Sequence, residues 1–317
     1  MADLCKPIVL AVAGPTASGK TGLGVFLARQ LNGEIISTDS MQIYKGLDVG
    51  TAKVTAEEMQ GIPHHCLDIC TPEQPFSVAD FVALANQKAA EIAARGHLPI
   101  LVGGTGLYLE SFVKGVQFAP DKTDPALRQA LQQELAQFGP QEMYRRLEAV
   151  DPQAARATHP NNTVRVLRAL EHYRATGSTL SQQKEKSLPP EPPYRALIFG
   201  LDFPQRAQLY ARIDQRVELM MQQDLLAEAA LVYQNRESFC TAAQAIGYKE
   251  FFPYFEAGQD PALLPACVDK LKQASRNYAK RQLTWFRRMK DVCWLDAGAP
   301  DVRQTALARA AEFLKAE

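Results

Sequence analysis

A phosphate-binding loop near the start of the chain most constrains its fold. Residues 8–13 form a continuous apolar run, and the segment GPTASGKT follows at 14–21. The segment fits the pattern G-x-x-x-x-G-K-[ST], which binds phosphates when it follows a strand and opens a helix. Its backbone N–H groups and the helix N-terminus both attract phosphate oxygens. We therefore predict a diphosphate or triphosphate site at Gly14, Pro15, Thr16, Ala17, Ser18, Gly19, Lys20 and Thr21. Lys20 would supply a positive charge, and the Thr21 hydroxyl can ligate Mg²⁺.

Short apolar runs alternate with helical segments elsewhere in the chain. Further runs lie at 34–38, 98–102 and 196–201. Ser77 with Asp80 has the spacing of a helix capping box, and Gly96 is placed to end that helix. This alternation is typical of an α/β protein in which a parallel sheet has helices on both faces.

The alternation stops between residues 115 and 193. That stretch has helical patterns broken at Gly139-Pro140, Asp151-Pro152 and His159-Pro160, and it ends in a proline cluster. We interpret it as a helical insertion domain at 115–193, within a core formed by 1–114 and 194–317. From Pro204 onward the chain again reads as mostly helical.

Composition excludes few functions. The 35 basic and 35 acidic residues cancel, so any sign of a nucleic-acid partner must be local. The six cysteines are scattered, and the CxxxC pair lacks the second pair that a zinc site needs, which favours buried free thiols in a reducing compartment. No signal peptide and no apolar run of about 20 residues is apparent, so we expect a cytoplasmic protein without a membrane span.

Two short motifs follow predicted strands at the edge where α/β proteins bind ligands. Asp39, in STDSMQ, could hold Mg²⁺ through water or act as a general base, or it could cap the next helix. The segment GGTG at 103–106 lets a backbone approach a ligand closely, and Thr105 could donate to a phosphate oxygen. A tight strand-to-helix turn would explain that segment equally well.

Basic residues are concentrated near the C-terminus. The basic stripe, as we name residues 270–290, has eight cations and no acid, with Tyr278, Trp285 and Phe286 interleaved. Such a surface suits RNA phosphates, although we expect Trp285 and Phe286 to face the core. Arg165 and Arg168 share one face of a predicted helix in the insertion.

Two arginines lie one helical turn apart after the last predicted strand. Arg212 and Arg216 could each bind a diphosphate leaving group. Alternatively, they pair within the helix with Asp214 or Glu218, and the sequence does not choose between these readings.

Seven segments follow one another along the chain, and both their sequences and their order are informative: GPTASGKT, STDSMQIYKGLDVGTAK, PHHCLDI, GGTGLYL, HPNNTVRVLRALE, QAIGYKE and KRQLTWFRR. Together they resemble the tRNA dimethylallyltransferases, also called tRNA isopentenyltransferases, from about residue 8 to residue 296. Eukaryotic relatives often carry an added C-terminal zinc finger. No such pattern occurs here, which favours the bacterial type.

The resemblance implies a P-loop kinase-like core and an insertion that clamps a tRNA anticodon stem-loop. The loop would bind the diphosphate of dimethylallyl diphosphate, with Mg²⁺, and not ATP. By resemblance Asp39 is the general base, Thr105 assists at the reacting centre, and Lys20 and Arg216 act on the diphosphate. The positions that match tRNA-contacting stretches are Asp39, Ser40, Met41, Gln42, Thr105, Arg128, Val164, Arg165, Val166, Leu167, Arg168, Gln244, Ala245, Ile246, Gly247, Tyr248, Lys249, Lys280, Arg281, Gln282, Leu283, Thr284, Trp285, Phe286 and Arg287.

The implied activity transfers a dimethylallyl group to the N6 amine of the adenine 3′ to the anticodon. A small-molecule kinase would bind ATP in the same loop, but the long insertion and the basic stripe count against it. An adenylate isopentenyltransferase shares the chemistry and has no need to grip an RNA stem. A non-enzymatic RNA-binding protein would not need the loop, the acid and the threonine together. With no coiled-coil pattern, we expect a monomer.

Overall fold

We describe residues 6–118, 124–239 and 241–316 of a computed structural model. Backbone contacts divide the chain into two units, of which the first comprises Met1–Val113 and Pro193–Glu317 and the second Lys114–Pro192. These bounds lie one residue from the boundaries predicted above.

The first unit is built on a six-stranded sheet, in the order β3-β2-β4-β1-β5-β6, with every neighbouring pair parallel. Its strands are β1 (Ile8–Ala13), β2 (Gly33–Ser37), β3 (His64–His65), β4 (Leu98–Gly103), β5 (Arg195–Asp202) and β6 (Val292–Asp296). The four predicted strands correspond to β1, β2, β4 and β5, with ends shifted by one residue or fewer. The two edge strands were not predicted, because β3 has only two residues and β6 follows the basic stripe.

Helices cover both faces of this sheet, as the alternating pattern predicted. The helices of this unit are α1 (Lys20–Gln30), α2 (Ala56–Met59), α3 (Val78–Ala94), α4 (Gly106–Lys114), then, after four helices in the insertion, α9 (Arg206–Gln222), α10 (Leu225–Gln234), α11 (Phe252–Glu256), α12 (Leu264–Phe286) and α13 (Val302–Lys315). Successive residues of β1 point to opposite faces. Val9 packs in the cluster that contains α3 and α4, and Leu10 in the one that contains α1 and α13.

Helix α3 begins and ends where the sequence predicted. Ser77 and Asp80 form a reciprocal capping box, and Gly96 follows the helix in the left-handed region, with φ 77°. A residue with a side chain rarely adopts that conformation, so glycine suits the position.

The second unit consists of helices α5 (Pro125–Val150), α6 (Pro152–Arg156), α7 (Thr163–Thr176) and α8 (Leu180–Lys186). Leu131, Met143 and Leu170 belong to its separate hydrophobic core. The predicted breaks are present: Gly139 kinks α5 with φ 77°, and Asp151 caps α6.

The thiols agree with the expectation from spacing. Cys66, Cys70 and Cys267 are buried and free, and Cys293 is free on β6. Cys5 and Cys240 lie outside the described residues. No helix in the described part of the chain is both long and apolar enough to cross a membrane.

Candidate active site

The phosphate loop connects β1 to α1, as predicted. Gly14 has φ 150°, and a Cβ there would lie 2.8 Å from the Leu201 carbonyl oxygen, so a larger residue would displace the loop. The loop N–H of Thr16 is not free, because it donates to Gln282 Oε1 at 2.8 Å. Gln282, on α12, is 5% exposed and donates through Nε2 to the Gly104 carbonyl at 2.9 Å. One buried amide therefore ties the loop to the end of β4.

Lys20 extends into the space in front of the loop. Its Nζ donates to the Pro15 carbonyl at 2.6 Å. Burial, reinforced by the positive charge of Arg216 and opposed by Asp39, lowers the pKa of Lys20 to about 7. The free enzyme thus keeps two poorly solvated cations near each other, an arrangement that an anion would stabilise.

Asp39 lies beyond the end of β2. Its Oδ1 accepts the backbone N–H groups of Met41 at 2.9 Å and Gln42 at 3.3 Å. The helix cap considered above is wrong, since residues 40–55 contain no helix and α2 begins at Ala56. Asp39 instead closes a turn, and in the described part of the chain its Oδ2 accepts no hydrogen bond.

Thr105 joins the ends of β4 and β2. Its Oγ1 accepts the N–H of Ser40, the neighbour of Asp39, at 3.1 Å. Tyr278, on α12, lies near Thr105 and Gln282. Burial and the Asp39 charge raise the pKa of Tyr278 to about 12, although Thr105, Arg281 and Gln282 oppose the shift. Tyr278 therefore stays protonated at neutral pH.

Arg216 and Arg212 occupy different environments. Arg216 lines the pocket, and its Nη2 lies 3.5 Å from the Thr51 carbonyl oxygen. Burial lowers the pKa of Arg216, and Asp39 opposes this. Arg212 is exposed and donates to the Ala17 carbonyl of the phosphate loop at 2.9 Å.

The pairing of these arginines with acids of their own helix is wrong. Asp214 pairs with Arg276 at 2.5 Å, and Glu218 pairs with Lys272 at 2.9 Å. Both acids thus bind cations of the basic stripe.

These groups surround one cavity of about 360 Å³ within the first unit. Its polar lining includes Thr16, Lys20, Thr21, Asp39, Ser40, Gln42, Arg216, Gln244, Lys249, Tyr278, Arg281 and Gln282. Thr105 is not part of the lining and is hydrogen-bonded to Ser40, which is. The sequence did not predict that Gln282 holds the phosphate loop, since it named Gln282 only as a tRNA contact by resemblance, and it placed Tyr278 only in the basic stripe.

The basic stripe is less open than its composition suggested. Three of its cations are paired: Lys272, Arg276 and Arg287, the last with Asp202 at 2.7 Å. Lys270, Lys280, Arg281, Arg288 and Lys290 are exposed. Phe286 is buried and Trp285 partly buried, as expected for core aromatics.

Several positions predicted to contact tRNA have buried side chains, namely Val166, Tyr248, Leu283 and Phe286. These side chains fill hydrophobic cores, and the tRNA contacts of the remaining positions stay predictions. In the second unit Arg165 and Arg168 are exposed, Val164 is 77% exposed, and Arg128 lies 3.3 Å from Glu171.

The family model described as IPP transferase matches residues 42–289, and the model described as isopentenyl transferase matches residues 7–73. The chain is 49% identical to the tRNA dimethylallyltransferase of Bacillus subtilis over 93% of this chain and 92% of that protein. It is also 49% identical to that of Geobacillus kaustophilus, over 91% and 90%.

Two solved structures share the fold. The full-length tRNA isopentenylpyrophosphate transferase from Bacillus halodurans has a TM-score of 0.72 at 42% identity, covering 98% of this chain and 97% of that one. A eukaryotic dimethylallyltransferase acting on tRNA has a TM-score of 0.81 at 29% identity, covering 97% of this chain and 79% of that one.

Proposed function

This chain belongs to the tRNA dimethylallyltransferase family, and from that premise we propose how its pocket carries out the transfer. The protein is a prenyl-transferring enzyme that modifies tRNA. The reaction moves the dimethylallyl group of dimethylallyl diphosphate to an exocyclic N6 amine. We propose that this amine belongs to the adenine 3′ to the anticodon.

One observation carries the proposal: a single cavity of about 360 Å³ brings Lys20, Arg216 and Asp39 together. Two cations and the phosphate loop suit a diphosphate, and the carboxylate suits a proton acceptor. A cavity of this size falls in the range of small-ligand pockets, about 300–1,000 Å³. The arrangement supports a diphosphate donor and an amine acceptor meeting in one place.

Departure of the diphosphate is the step that the cations assist. The bond between the allylic carbon and the diphosphate oxygen breaks as the new C–N bond forms, so negative charge accumulates on the leaving group. Lys20 and Arg216 face that charge from fixed positions, which stabilises a transition state more than mobile water does. Their lowered pKa values indicate that binding the anion relieves poor solvation.

Magnesium fits beside the phosphate loop as an ion held mainly by substrate. Thr21 is the second residue of α1 and lines the cavity, as does Asp39. Among the described residues no three His, Cys, Asp or Glu side chains converge on a metal site. Mg²⁺ is commonly bound by one or two protein oxygens plus substrate phosphates. We propose that Thr21 contributes one ligand and that the ion neutralises part of the diphosphate charge.

Asp39 is the proposed general base. The N6 amine is weakly nucleophilic because its lone pair is delocalised into the ring, so loss of its proton must accompany attack. Oδ1 holds the turn and Oδ2 accepts no hydrogen bond among the described residues, which leaves one oxygen available for the amine proton. Thr105, bonded to the neighbouring Ser40, holds this turn in place.

The exposed cations suit a tRNA backbone. Lys280 and Arg281 lie on α12, where Arg281 also lines the cavity, and Arg165 and Arg168 lie on α7 of the second unit. Such contacts give affinity that falls with salt. The target adenine must leave the anticodon-loop stack to enter the cavity. We propose that the enzyme acts as a monomer on the anticodon stem-loop, in the cytoplasm.

A transfer assay tests this function. Purified protein is mixed with labelled dimethylallyl diphosphate, Mg²⁺ and either an unmodified anticodon stem-loop or free AMP. Label on the stem-loop and not on AMP is expected. Label on AMP alone would identify a free-nucleotide prenyltransferase. ATP hydrolysis in a parallel reaction, with no prenyl transfer to either acceptor, would indicate that the phosphate loop binds ATP as in a kinase.

A further inference from the structure

A carboxylate outside the cavity accepts hydrogen bonds from a loop, residues 47–53, that forms part of the cavity wall. Glu228, on α10, accepts four hydrogen bonds. Its Oε2 accepts the backbone N–H groups of Asp48 at 2.7 Å and Val49 at 2.9 Å. Its Oε1 accepts the N–H of Gly50 at 2.8 Å and the hydroxyl of Tyr248 at 2.7 Å. Hydrogen bonds to a charged acceptor are stronger than neutral ones, so this carboxylate fixes three consecutive residues.

Packing leaves that loop no room to move toward Tyr248. A Cβ on Gly50 would lie 2.4 Å from the Tyr248 ring, and one on Gly247 would lie 3.1 Å from the Gly50 carbonyl oxygen. Tyr248 itself is fully buried. We name residues 47–53 the anchoring loop. Hydrogen bonds to Glu228 hold it, and it packs closely against the buried ring of Tyr248.

The far end of the anchoring loop is held separately. Lys53 donates to the Tyr44 carbonyl at 2.8 Å, to Asp48 at 2.5 Å and to Asp68 at 2.6 Å. Its side chain is 6% exposed. With both ends fixed, the residues between them have a defined position.

Between these ends, two carbonyl groups reach the active site. The Thr51 carbonyl oxygen lies 3.5 Å from Arg216 Nη2 and 3.3 Å from Gln42 Nε2, and the Ala52 carbonyl oxygen lies 3.1 Å from the same amide. Gln42 in turn donates its backbone N–H to Asp39 at 3.3 Å. The loop therefore touches one residue that faces the diphosphate and one that borders the proposed base.

We propose that Glu228 is a positioning residue for the prenyl diphosphate, acting through the anchoring loop on Arg216. This inference rests on the proposed function, because it assigns the diphosphate as the ligand of Arg216. A guanidinium that loses its carbonyl partner samples more side-chain conformers, and the diphosphate must then restrict them on binding. The affinity for diphosphate should fall, whereas the exposed cations proposed to bind tRNA lie outside the anchoring loop and should keep their positions.

Glu228→Gln tests the assignment. The amide keeps one oxygen acceptor, but its NH₂ group faces the N–H groups that the second oxygen bound. Loss of a hydrogen bond to a charged group predicts that the Ki of inorganic pyrophosphate and the KM for dimethylallyl diphosphate each rise about tenfold. The Kd for the stem-loop should not change. The matched control is Glu256→Gln, an exposed glutamate on α11, which should leave all three constants unchanged.

A double-mutant cycle separates positioning from a loss of folded protein. In an Arg216→Ala background, Glu228→Gln should change the Ki of pyrophosphate much less than in the wild type, because the residue that it positions is gone. Equal effects in both backgrounds would overturn the assignment. A fall in kcat alone, with KM and Ki unchanged, would also overturn it, since this is the result of a smaller active fraction.

Tyr248→Phe provides a second variant if Glu228→Gln does not fold. It removes one of the four hydrogen bonds and retains the ring, so we expect the same constants to rise about threefold. Unchanged constants would overturn the inference. The wild type is assayed in parallel: if it does not transfer the prenyl group, the proposed function fails, whereas failure in the variants alone rejects only the role of Glu228.

Discussion

The two ends of strand β2 hold charged side chains in opposite situations. Near its first residue, Glu34 is 4% exposed and is bound by His65 at 2.6 Å and by Arg95 at 2.7 Å. Burial raises the pKa of Glu34, but the hydrogen bonds from Arg95 and His65 outweigh it and leave the pKa below its ordinary value. Beyond the other end lies Asp39, which lines the cavity with Lys20 of α1. There burial and the charge of Arg216 together lower the pKa of Lys20 to about 7, although Asp39 opposes the shift.

The difference shows which charges serve the fold and which await a ligand. At the first end the protein supplies the counter-charges itself, so ionisation stabilises the native state. At the site end the two cations lie together in a buried place, where Asp39 only partly offsets their lowered pKa values, so a bound anion should stabilise both charges. Substitutions at the two ends should therefore separate stability from activity.

The largest effect is expected at Asp39. Asp39→Asn retains an oxygen that can accept the N–H groups of Met41 and Gln42, so the turn survives while the base is lost. General base catalysis accelerates a reaction by about 10²–10⁴-fold. We therefore expect the rate constant of single-turnover transfer to fall by about 10³-fold. The Kd for the stem-loop and the Tm should stay near the wild-type values. A variant that retains most of its rate would remove Asp39 from the base role.

Arg216 should rank second. Removal of one group that stabilises transition-state charge costs about 10²–10³-fold, and Arg216→Ala should lower kcat/KM for dimethylallyl diphosphate by about 10²-fold. Arg212→Ala is the matched control on the same helix, and it should stay within about threefold of the wild type because it removes an exposed hydrogen bond. The reverse ranking would transfer the diphosphate contact to Arg212.

Sequence could predict the parts of this site that are local. The phosphate loop, Asp39 and the strands before them are read from consecutive residues, since a glycine pattern and an apolar run each define a conformation. The hydrogen bond from Thr16 to Gln282 joins residues 266 positions apart, and no pattern in either segment predicts that they meet. The same holds for Glu228, whose partners are backbone N–H groups that carry no residue-specific signal.

The basic stripe shows a different limit of sequence reasoning. Composition predicted a cationic surface, but Asp214, Glu218 and Asp202 come from other elements and neutralise part of it. Long-range ion pairs of this kind follow from the packing of α9 and β5 against α12. A count of charges along one segment therefore overstates the charge that a ligand meets.

Glu34 should affect stability and leave catalysis intact. Glu34→Gln removes a buried charge whose partner Arg95 is half-exposed, and we expect the free energy of unfolding to fall by about 2 kcal/mol. Because the pKa of Glu34 is lowered from 4.5, its contribution is present above about pH 4.5 and is lost as the pH falls through the lowered value. Urea unfolding at pH 7 and pH 3 should show a variant deficit that shrinks in acid. A deficit that is equal at both pH values, or a changed kcat, would contradict the separation of the two ends.

The smallest effect concerns the protonation of Lys20. With a pKa of about 7, the free enzyme loses this proton as the pH rises through neutrality, whereas a bound diphosphate holds it. The Ki of inorganic pyrophosphate should therefore be flat below pH 7 and rise by at most about tenfold per pH unit above it. Pyrophosphate also takes up protons in this range, so the informative quantity is the difference between the wild type and Lys20→Met. Lys20→Met should bind pyrophosphate more weakly at every pH and lack the part of the pH dependence of Ki that Lys20 contributes. It should also have a higher Tm at pH 7, because it no longer buries a cation. Parallel pH profiles for the two proteins would show that Lys20 keeps its proton throughout this range. The pKa of Lys20 would then not be lowered by burial, and the contrast with Glu34 would fail.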